Sequence, residues 1–192
     1  ETATLGQVSF PDSLAEIGDH AFEGTQLREL ELPFDVKVIG KYAFSRDYEV
    51  KKISFPENLT IIDDSAFSNC NSLVLVELPK KMEKIGEKAF AYNRSLKYLV
   101  FPENVTEFGK DAFKRCPMKE ILFQGGPVDI ERPREWRSCE WRVFEENLDA
   151  WNRAIAAGKF RGINIVEVAQ MTALSMIRLS ADIELEKKRR PW

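Results

Sequence analysis

Apolar positions recur along this chain on two length scales. On the short one, "LRELELP" (Leu27 to Pro33) carries Leu27, Leu30 and Leu32, and its relatives read "LGQVSFP", "VKKISFP", "LVLVELP", "LKYLVFP" and "MKEILFQ". The last two apolar points lie two apart, the period of an extended strand. One short strand per segment is therefore predicted, paired in parallel with the next. A proline, which has no N–H to give to a ladder, ends it. A second short extended piece follows, as in Leu59 to Ile62, and the glycine that comes after it in most copies is expected to free the backbone for a tight corner.

On the long scale the Phe/Leu-Pro pair falls at Phe10-Pro11, Leu32-Pro33, Phe55-Pro56, Leu78-Pro79 and Phe101-Pro102, in steps of 22, 23, 23 and 23 residues. Ala-Phe keeps step at Ala21-Phe22, Ala43-Phe44, Ala66-Phe67, Ala89-Phe90 and Ala112-Phe113. A period in this range marks a solenoid, because one unit cannot bury its own apolar face and must stack on its neighbours. The five phenylalanines are predicted to form an interior ladder.

The full pattern, L-x-x-I-x-F/L-P-x-x-L-x-x-I-G-x-x-A-F-x-x-C over about residues 5 to 125, resembles the BspA-like leucine-rich repeat. The resemblance implies an α/β repeat solenoid: a right-handed leucine-rich repeat coil of about 23 residues per turn with a parallel concave sheet, five full repeats and a partial one filling residues 1–125. It also implies a secreted or cell-surface protein that binds other macromolecules and is not an enzyme. The column usually held by cysteine reads Thr25, Asp47, Cys70, Asn93 and Cys116 here, so there is no continuous cysteine ladder.

The rhythm breaks at Gly125-Gly126-Pro127, and residues 126–192 are predicted to form a helical C-terminal cap or extension. Trp141, Phe144, Leu148, Trp151 and Ile155 fall at steps of 3, 4, 3 and 4 after a candidate N-cap at Ser138, with Gly158 as the C-terminal stop. A second helix is predicted from Ile165 to about Arg189, started by the N-x-x-E box of Asn164 and Glu167, with Ile163 and Val168 as the staple. Its first half, including Met171, Leu174, Met176 and Ile177, is apolar on several sides and requires cover on several sides. Two readings of this helical hairpin stay open. It caps the exposed end of the coil, or it docks a partner or a larger assembly through Trp141, Trp151, Met171 and Met176.

Strand alternation assigns two outward columns to the concave face: Gln7, Glu29, Lys52, Leu75, Tyr98 and Glu120, and Ser9, Glu31, Ser54, Glu77, Val100 and Leu122. The first half is polar, whereas Leu75, Tyr98, Val100 and Leu122 make an apolar patch. Exposed patches of that kind mark contact surfaces. The candidate partner-binding set is therefore Glu29, Lys52, Leu75, Glu77, Tyr98, Val100 and Leu122. The alternative is that the C-terminal region folds over the patch.

Composition narrows the remaining classes. With 28 basic and 31 acidic residues the net charge is -3, which lacks the basic footprint of a nucleic-acid binder. No apolar run reaches the length of a membrane span. The chain starts at Glu1 without a methionine and is read as a processed product. Catalytic signals are thin: His20 is the one histidine, zinc-type Cys/His pairs and phosphate-binding glycine loops are missing, and the carboxylates are scattered, so no cofactor is expected. Cys70 and Cys116 share a column two rungs apart, about 10 Å at the usual strand spacing, too far for a disulfide. Asn58, Asn93 and Asn104 satisfy the glycosylation sequon but follow from the repeat. Glu184 with Lys188, and Glu186 with Arg190 of the "KKRR" run, have the i,i+4 spacing of solvated pairs.

Overall fold

The structure, a computed structural model, describes residues 8–128, 136, 138–158, 163–168 and 170–189 of the chain. Two rows of short parallel strands run along the coil axis. One row is made of two-residue strands β1 (Glu16–Ile17), β3 (Val38–Ile39), β5 (Ile61–Ile62), β7 (Lys84–Ile85) and β9 (Glu107–Phe108), paired in that order. The concave row begins with β2 (Glu29–Glu31) paired to β4 (Lys52–Ser54). It continues as a five-stranded sheet of β6 (Leu75–Glu77), β8 (Tyr98–Phe101), β10 (Glu120–Phe123), β11 (Glu140–Phe144) and β12 (Asn164–Val168). Equivalent residues lie side by side: Leu30 pairs with Ile53, and Val76, Leu99, Ile121, Trp141 and Ile165 form one inward column.

Phe22, Phe44, Phe67, Phe90 and Phe113 stack as the sequence predicts, with successive ring centroids 5.3, 5.2, 5.4 and 5.1 Å apart and planes within 8° of parallel. These separations are close to the rise of one rung, about 4.8 Å, so the backbone ladder sets the ring spacing. Removing a ring from the middle of such a stack costs about 3–5 kcal/mol in cavity and lost contact.

The column reading Thr25, Asp47, Cys70, Asn93, Cys116 serves the same ladder through hydrogen bonds. The Cys70 and Cys116 thiols donate to the Phe44 and Phe90 carbonyls at 3.2 and 3.0 Å. Asn93 Nδ2 donates to the carbonyls of Phe67 and Phe90 at 3.0 and 2.9 Å. A small donor is therefore what the position needs, and cysteine and asparagine both supply one. Burial pushes the Cys70 thiol far above its usual pKa, which keeps it a donor.

The corners correct one expectation. Gly18, Gly40, Gly86 and Gly109 do not adopt positive φ; the left-handed corner residues are His20, Tyr42, Ser65, Lys88 and Asp111, at φ of 55–59°, and Gly24, Arg46, Asn69, Tyr92 and Arg115 four residues on, with Gln26 besides in the first coil. Each such conformation costs a non-glycine residue about 1 kcal/mol. In compensation it aims an N–H at the next coil: Tyr42 to the Asp64 carbonyl at 3.1 Å, Ser65 to Glu87 at 2.9 Å, Asn69 to Ala91 at 2.9 Å. The corner glycines instead allow close stacking. A Cβ on Gly86 would sit 2.5 Å from the Asp63 carbonyl carbon, and one on Gly109 would sit 2.2 Å from that of Gly86.

The C-terminal region also departs from the predicted hairpin. Residues 140–144 and 164–168 are strands β11 and β12, which extend the concave sheet by two rungs, and the helices are α1 (Leu148–Ala156) and α2 (Gln170–Arg189). The reason lies in side-chain direction. Trp141 and Val143 point into the core two residues apart, on top of Ile121 and Phe123, and burying them on the sheet outweighs the helix-spaced stripe. The N-x-x-E box of Asn164 and Glu167 lies inside β12, where the β-branched Ile165, Val166 and Val168 favour extension. Gly158, at φ 86°, does stop α1 as predicted. Asn147 Nδ2 and Trp151 Nε1 donate to the Gln124 and Gly125 carbonyls, both at 3.1 Å, and tie α1 to the preceding coil.

Candidate functional site

The concave face divides into an open half and a closed half. Glu29, Glu31, Lys52 and Ser54 all point outward and are exposed, and with Phe10 and Asp12 they border a shallow hollow of about 540 Å³. Gln7, the first member of that column, lies outside the described residues. On the next rungs Leu75 faces Tyr98 and Val100 faces Leu122, so the apolar patch is contiguous, as strand alternation predicts.

That patch is not open to solvent. Tyr98, Val100 and Leu122 are 4%, 2% and 0% exposed, because α2 lies across them and forms with Val74 and Phe144 a second apolar core around Ile177 and Ala181. Leu75, Val168 and Leu185 pack at its margin. The expected alternative, in which the C-terminal region folds over the patch, is the arrangement found. Of the seven candidates, Glu29 and Lys52 lie on the open half, Leu75 and Glu77 at the boundary, and Tyr98, Val100 and Leu122 beneath the helix.

Charge fixes α2 at both ends of this contact. Arg178 donates from Nε and Nη2 to the two oxygens of Glu77, each at 2.6 Å. Glu184 accepts from Lys97 at 2.5 Å and from Lys119 at 2.9 Å, and those two lysines hold its carboxyl at about 2. Burial raises the Tyr98 phenol, which also meets Ser180 of α2. Further along the sheet, burial raises the Glu120 carboxyl, partly offset by Arg142 at 3.4 Å.

Sequence reasoning did not find Arg178, Ala181, Glu184 and Leu185. Glu184 was expected as a solvated i,i+4 partner of Lys188; its carboxylate instead bonds lysines 87 and 65 residues earlier in the chain. The one local signal is the spacing of four between Ile177, Ala181 and Leu185, a narrow stripe obscured by Met176, Leu179 and Ile183 on the solvent side. Trp141 and Trp151 are fully buried, which removes them from the contact surface proposed for the hairpin, while Met176 is exposed. The side chain of Met171 and those of the "KKRR" run lie outside the described residues.

Beside α2, where the concave ladder is interrupted between β4 and β6, lies a groove of about 480 Å³. Ile53, Leu75 and Leu78 line its sheet side, and Arg178, Asp182 and Leu185 its helix side. Lys52 borders both this groove and the open hollow.

Elsewhere the geometry is structural. His20 is an exposed corner residue, stacked on Tyr42 and bonded through Nδ1 to Glu23 at 2.7 Å. Among the described residues no group of three His, Cys, Asp or Glu side chains could hold a metal ion, and no helix is long and apolar enough to cross a membrane. Asn93 is fully buried, with Nδ2 committed to two carbonyls, which leaves no room for a glycan. Asn58 and Asn104 donate to the Phe34 and Lys80 carbonyls of the preceding coils.

Three solved structures share the architecture. A leucine-rich repeat protein of T. pallidum matches with a TM-score of 0.61 at 22% identity, over 79% of this chain and 80% of its own. The pneumococcal vaccine antigen PcpA matches at 0.66 and 20% identity over 82% of this chain, and a leucine-rich repeat protein from Bacteroides ovatus at 0.51 and 23% over 68%. This chain spans only 40% and 43% of those two proteins. No curated protein is similar to it in sequence. The family model of the BspA type leucine rich repeat region matches in six copies over residues 1–124. The chain thus belongs to the BspA-type leucine-rich repeat family, whose solenoids are generally protein-interaction or adhesion scaffolds and typically non-enzymatic.

Proposed function

We propose that this protein is a non-enzymatic scaffold that binds a macromolecule on its concave sheet, with residues 126–192 acting as the C-terminal cap of the repeats in 1–125. Glu29 and Lys52 make the first, polar contacts on the open half. Leu75 and Glu77 form the inner margin, where α2 closes over Tyr98, Val100 and Leu122 and takes them out of the contact surface. The observation that carries this reading is the open half of the concave sheet, where the outward Glu29, Glu31, Lys52 and Ser54 stand exposed around a hollow. The pneumococcal vaccine antigen of the same fold and the family resemblance favour a secreted or cell-surface setting.

Immobilised chain, probed with extracellular proteins of its host, should lose capture in Glu29→Lys and Lys52→Glu and keep it in Lys88→Glu, which lies on the opposite corner row. Equal loss in all three, or in none, would count against the concave face.

A second reading has one observation of its own. Met176, Leu179 and Ile183, at steps of 3 and 4 on α2, are 50%, 61% and 47% exposed. They suit docking of the C-terminal region into a larger assembly, in which case Leu179→Glu, and not Lys52→Glu, should abolish association.

A further inference from the structure

We propose that Arg28, Lys51 and Glu31 repeat, on the open half of the concave face, the charge clamp that seats α2, and that they take a mixed-charge segment of a partner protein, one acidic and one basic side chain about 10 Å apart. This rests on the concave-face reading above and adds the chemistry of the partner.

The repeat sets one column just ahead of each concave strand: Arg28, Lys51, Val74, Lys97 and Lys119, at steps of 23, 23, 23 and 22. Backbone bonds stack its members. The Lys51 N–H donates to the Arg28 carbonyl at 3.2 Å, Lys97 to Val74 at 3.0 Å and Lys119 to Lys97 at 2.7 Å. Lys97 and Lys119 show what two cations on successive rungs do, since each gives its ammonium to one oxygen of Glu184, at 2.5 and 2.9 Å. At the other end of the strands Glu31 and Glu77 share a column two rungs apart, and Glu77 takes the Arg178 guanidinium. The helix thus lies with its cation over the acidic edge and its anion over the basic edge, and the six residues between them span about 9 Å.

The open half offers the same edges without an occupant from this chain. Arg28 and Glu31 are exposed, and Lys51 is half-buried beside the groove that borders α2. Among the described residues no ion pair engages any of the three, whereas Lys41, Lys88 and Lys114 of the corner row meet Asp64, Glu87 and Asp111. Between the edges the two halves differ. Leu75 and Tyr98 give way to Glu29 and Lys52, cross-strand neighbours on β2 and β4. An apolar helix stripe finds no seat there, and a uniformly acidic ligand would meet Glu29 and Glu31. A segment polar between two opposite charges complements both edges and the middle. From Arg28 to Glu31 is three strand residues, about 10 Å, so an extended partner needs its acid and base three positions apart.

Two isomeric peptides test this on the full chain: Ser-Glu-Ser-Ser-Arg-Ser and Ser-Ser-Glu-Arg-Ser-Ser, both acetylated and amidated and both of zero net charge. Titrated at millimolar concentration and low ionic strength, the first should shift the amide signals of residues 28–31 and 51–52. It should bind about threefold more tightly than the second, the effect of one further exposed ion pair. Salt should weaken both. This comparison needs no variant. Arg28→Gln and Lys51→Gln should each remove the preference between the peptides, and Lys88→Gln should leave it. Equal affinities, no shift with either peptide, or shifts spread over the corner row would overturn the proposal. If the peptides fail while partner capture still responds to Lys52→Glu, only the charge clamp falls. If capture ignores Lys52→Glu, the concave-face reading falls as well.

Discussion

Arg178 and Glu77, 101 residues apart in the chain, meet fork to fork, with both nitrogen–oxygen distances at 2.6 Å. The pair joins α2 to the last residue of β6, at the boundary between the open and closed halves of the concave face. Arg178 is more than half exposed, so solvent screens the attraction, and pairs of this kind contribute about 0.2–1 kcal/mol. Arg178→Glu should therefore loosen α2 without unfolding the coil, seen as faster amide exchange confined to the helix. Adding Glu77→Arg should restore protection, and a double-mutant cycle should give a coupling in that range; additive effects would mean that the pair does not hold the helix.

Glu184 makes the same contact sensitive to acid. Lys97 and Lys119 hold its carboxyl at about 2 when α2 is seated, against an ordinary value of 4.5 when it is released. The seated helix thus binds fewer protons than the free one between those values, and closure is full above about 4.5 and lost progressively as pH falls towards 2. Glu120, facing the same region, is raised by burial and shifts the opposite way, so the decisive comparison is with Glu184→Gln. In that variant exchange of the α2 amides should be faster at neutral pH and lose much of its dependence on pH in this window.

The corner glycines offer a sharper test of coil packing. A Cβ on Gly109 would lie 2.2 and 2.3 Å from backbone atoms of Gly86 and Glu87, whereas one on Gly18 would meet nothing within 4 Å. Gly109→Ala should cost about 1–3 kcal/mol, because backbone has to move to relieve the clash. Gly18→Ala should be neutral or stabilise by a few tenths of a kcal/mol through the unfolded chain. Chemical denaturation of the two variants distinguishes them. Similar losses in both would restore the idea that these glycines serve the turn itself.

What could be read in advance depended on repetition. Five copies place Phe22 to Phe113, the inward strand positions and the outward columns in register, so each residue is confirmed by its equivalents one coil away. Beyond Gly126 that confirmation stops. Trp141, Phe144, Leu148, Trp151 and Ile155 satisfy a helix period across the whole stretch, although the first two belong to β11 and only the last three to α1. The alternation of Cys139, Trp141 and Val143 and the β-branched run from Ile163 to Val168 were the strand signals, each too short to outweigh the longer period. The apolar patch was legible because it lies within the repeats. Its cover was not, since the bonds of Glu184 to Lys97 and Lys119 join residues far apart in sequence and leave no local pattern.

The column that links the coils through the phenylalanine carbonyls holds one misfit. Asp47 is fully buried and accepts from the Leu27 N–H and the Thr25 hydroxyl, each at 3.1 Å, and from the Gln26 N–H. Burial nonetheless raises its carboxyl above the ordinary range, with the hydrogen bonds only partly opposing it. Ionising this group in the fold therefore costs more than ionising it in the unfolded chain. Asparagine keeps the accepting oxygen and adds a donor, and the same column already accommodates it at Asn93. Asp47→Asn should stabilise the protein at pH 7 by about 1 kcal/mol, the scale of one buried polar group brought into balance. A raised folded pKa means that wild-type stability is complete below the ordinary carboxylate value of about 3.9 and declines as pH rises through the folded one. The advantage of the variant should accordingly shrink as pH falls into that range. Denaturation midpoints of both proteins between pH 3 and 8 check this, and a variant less stable than wild type at pH 7 would show that the donors of Leu27, Thr25 and Gln26 hold the carboxylate more strongly than burial opposes it.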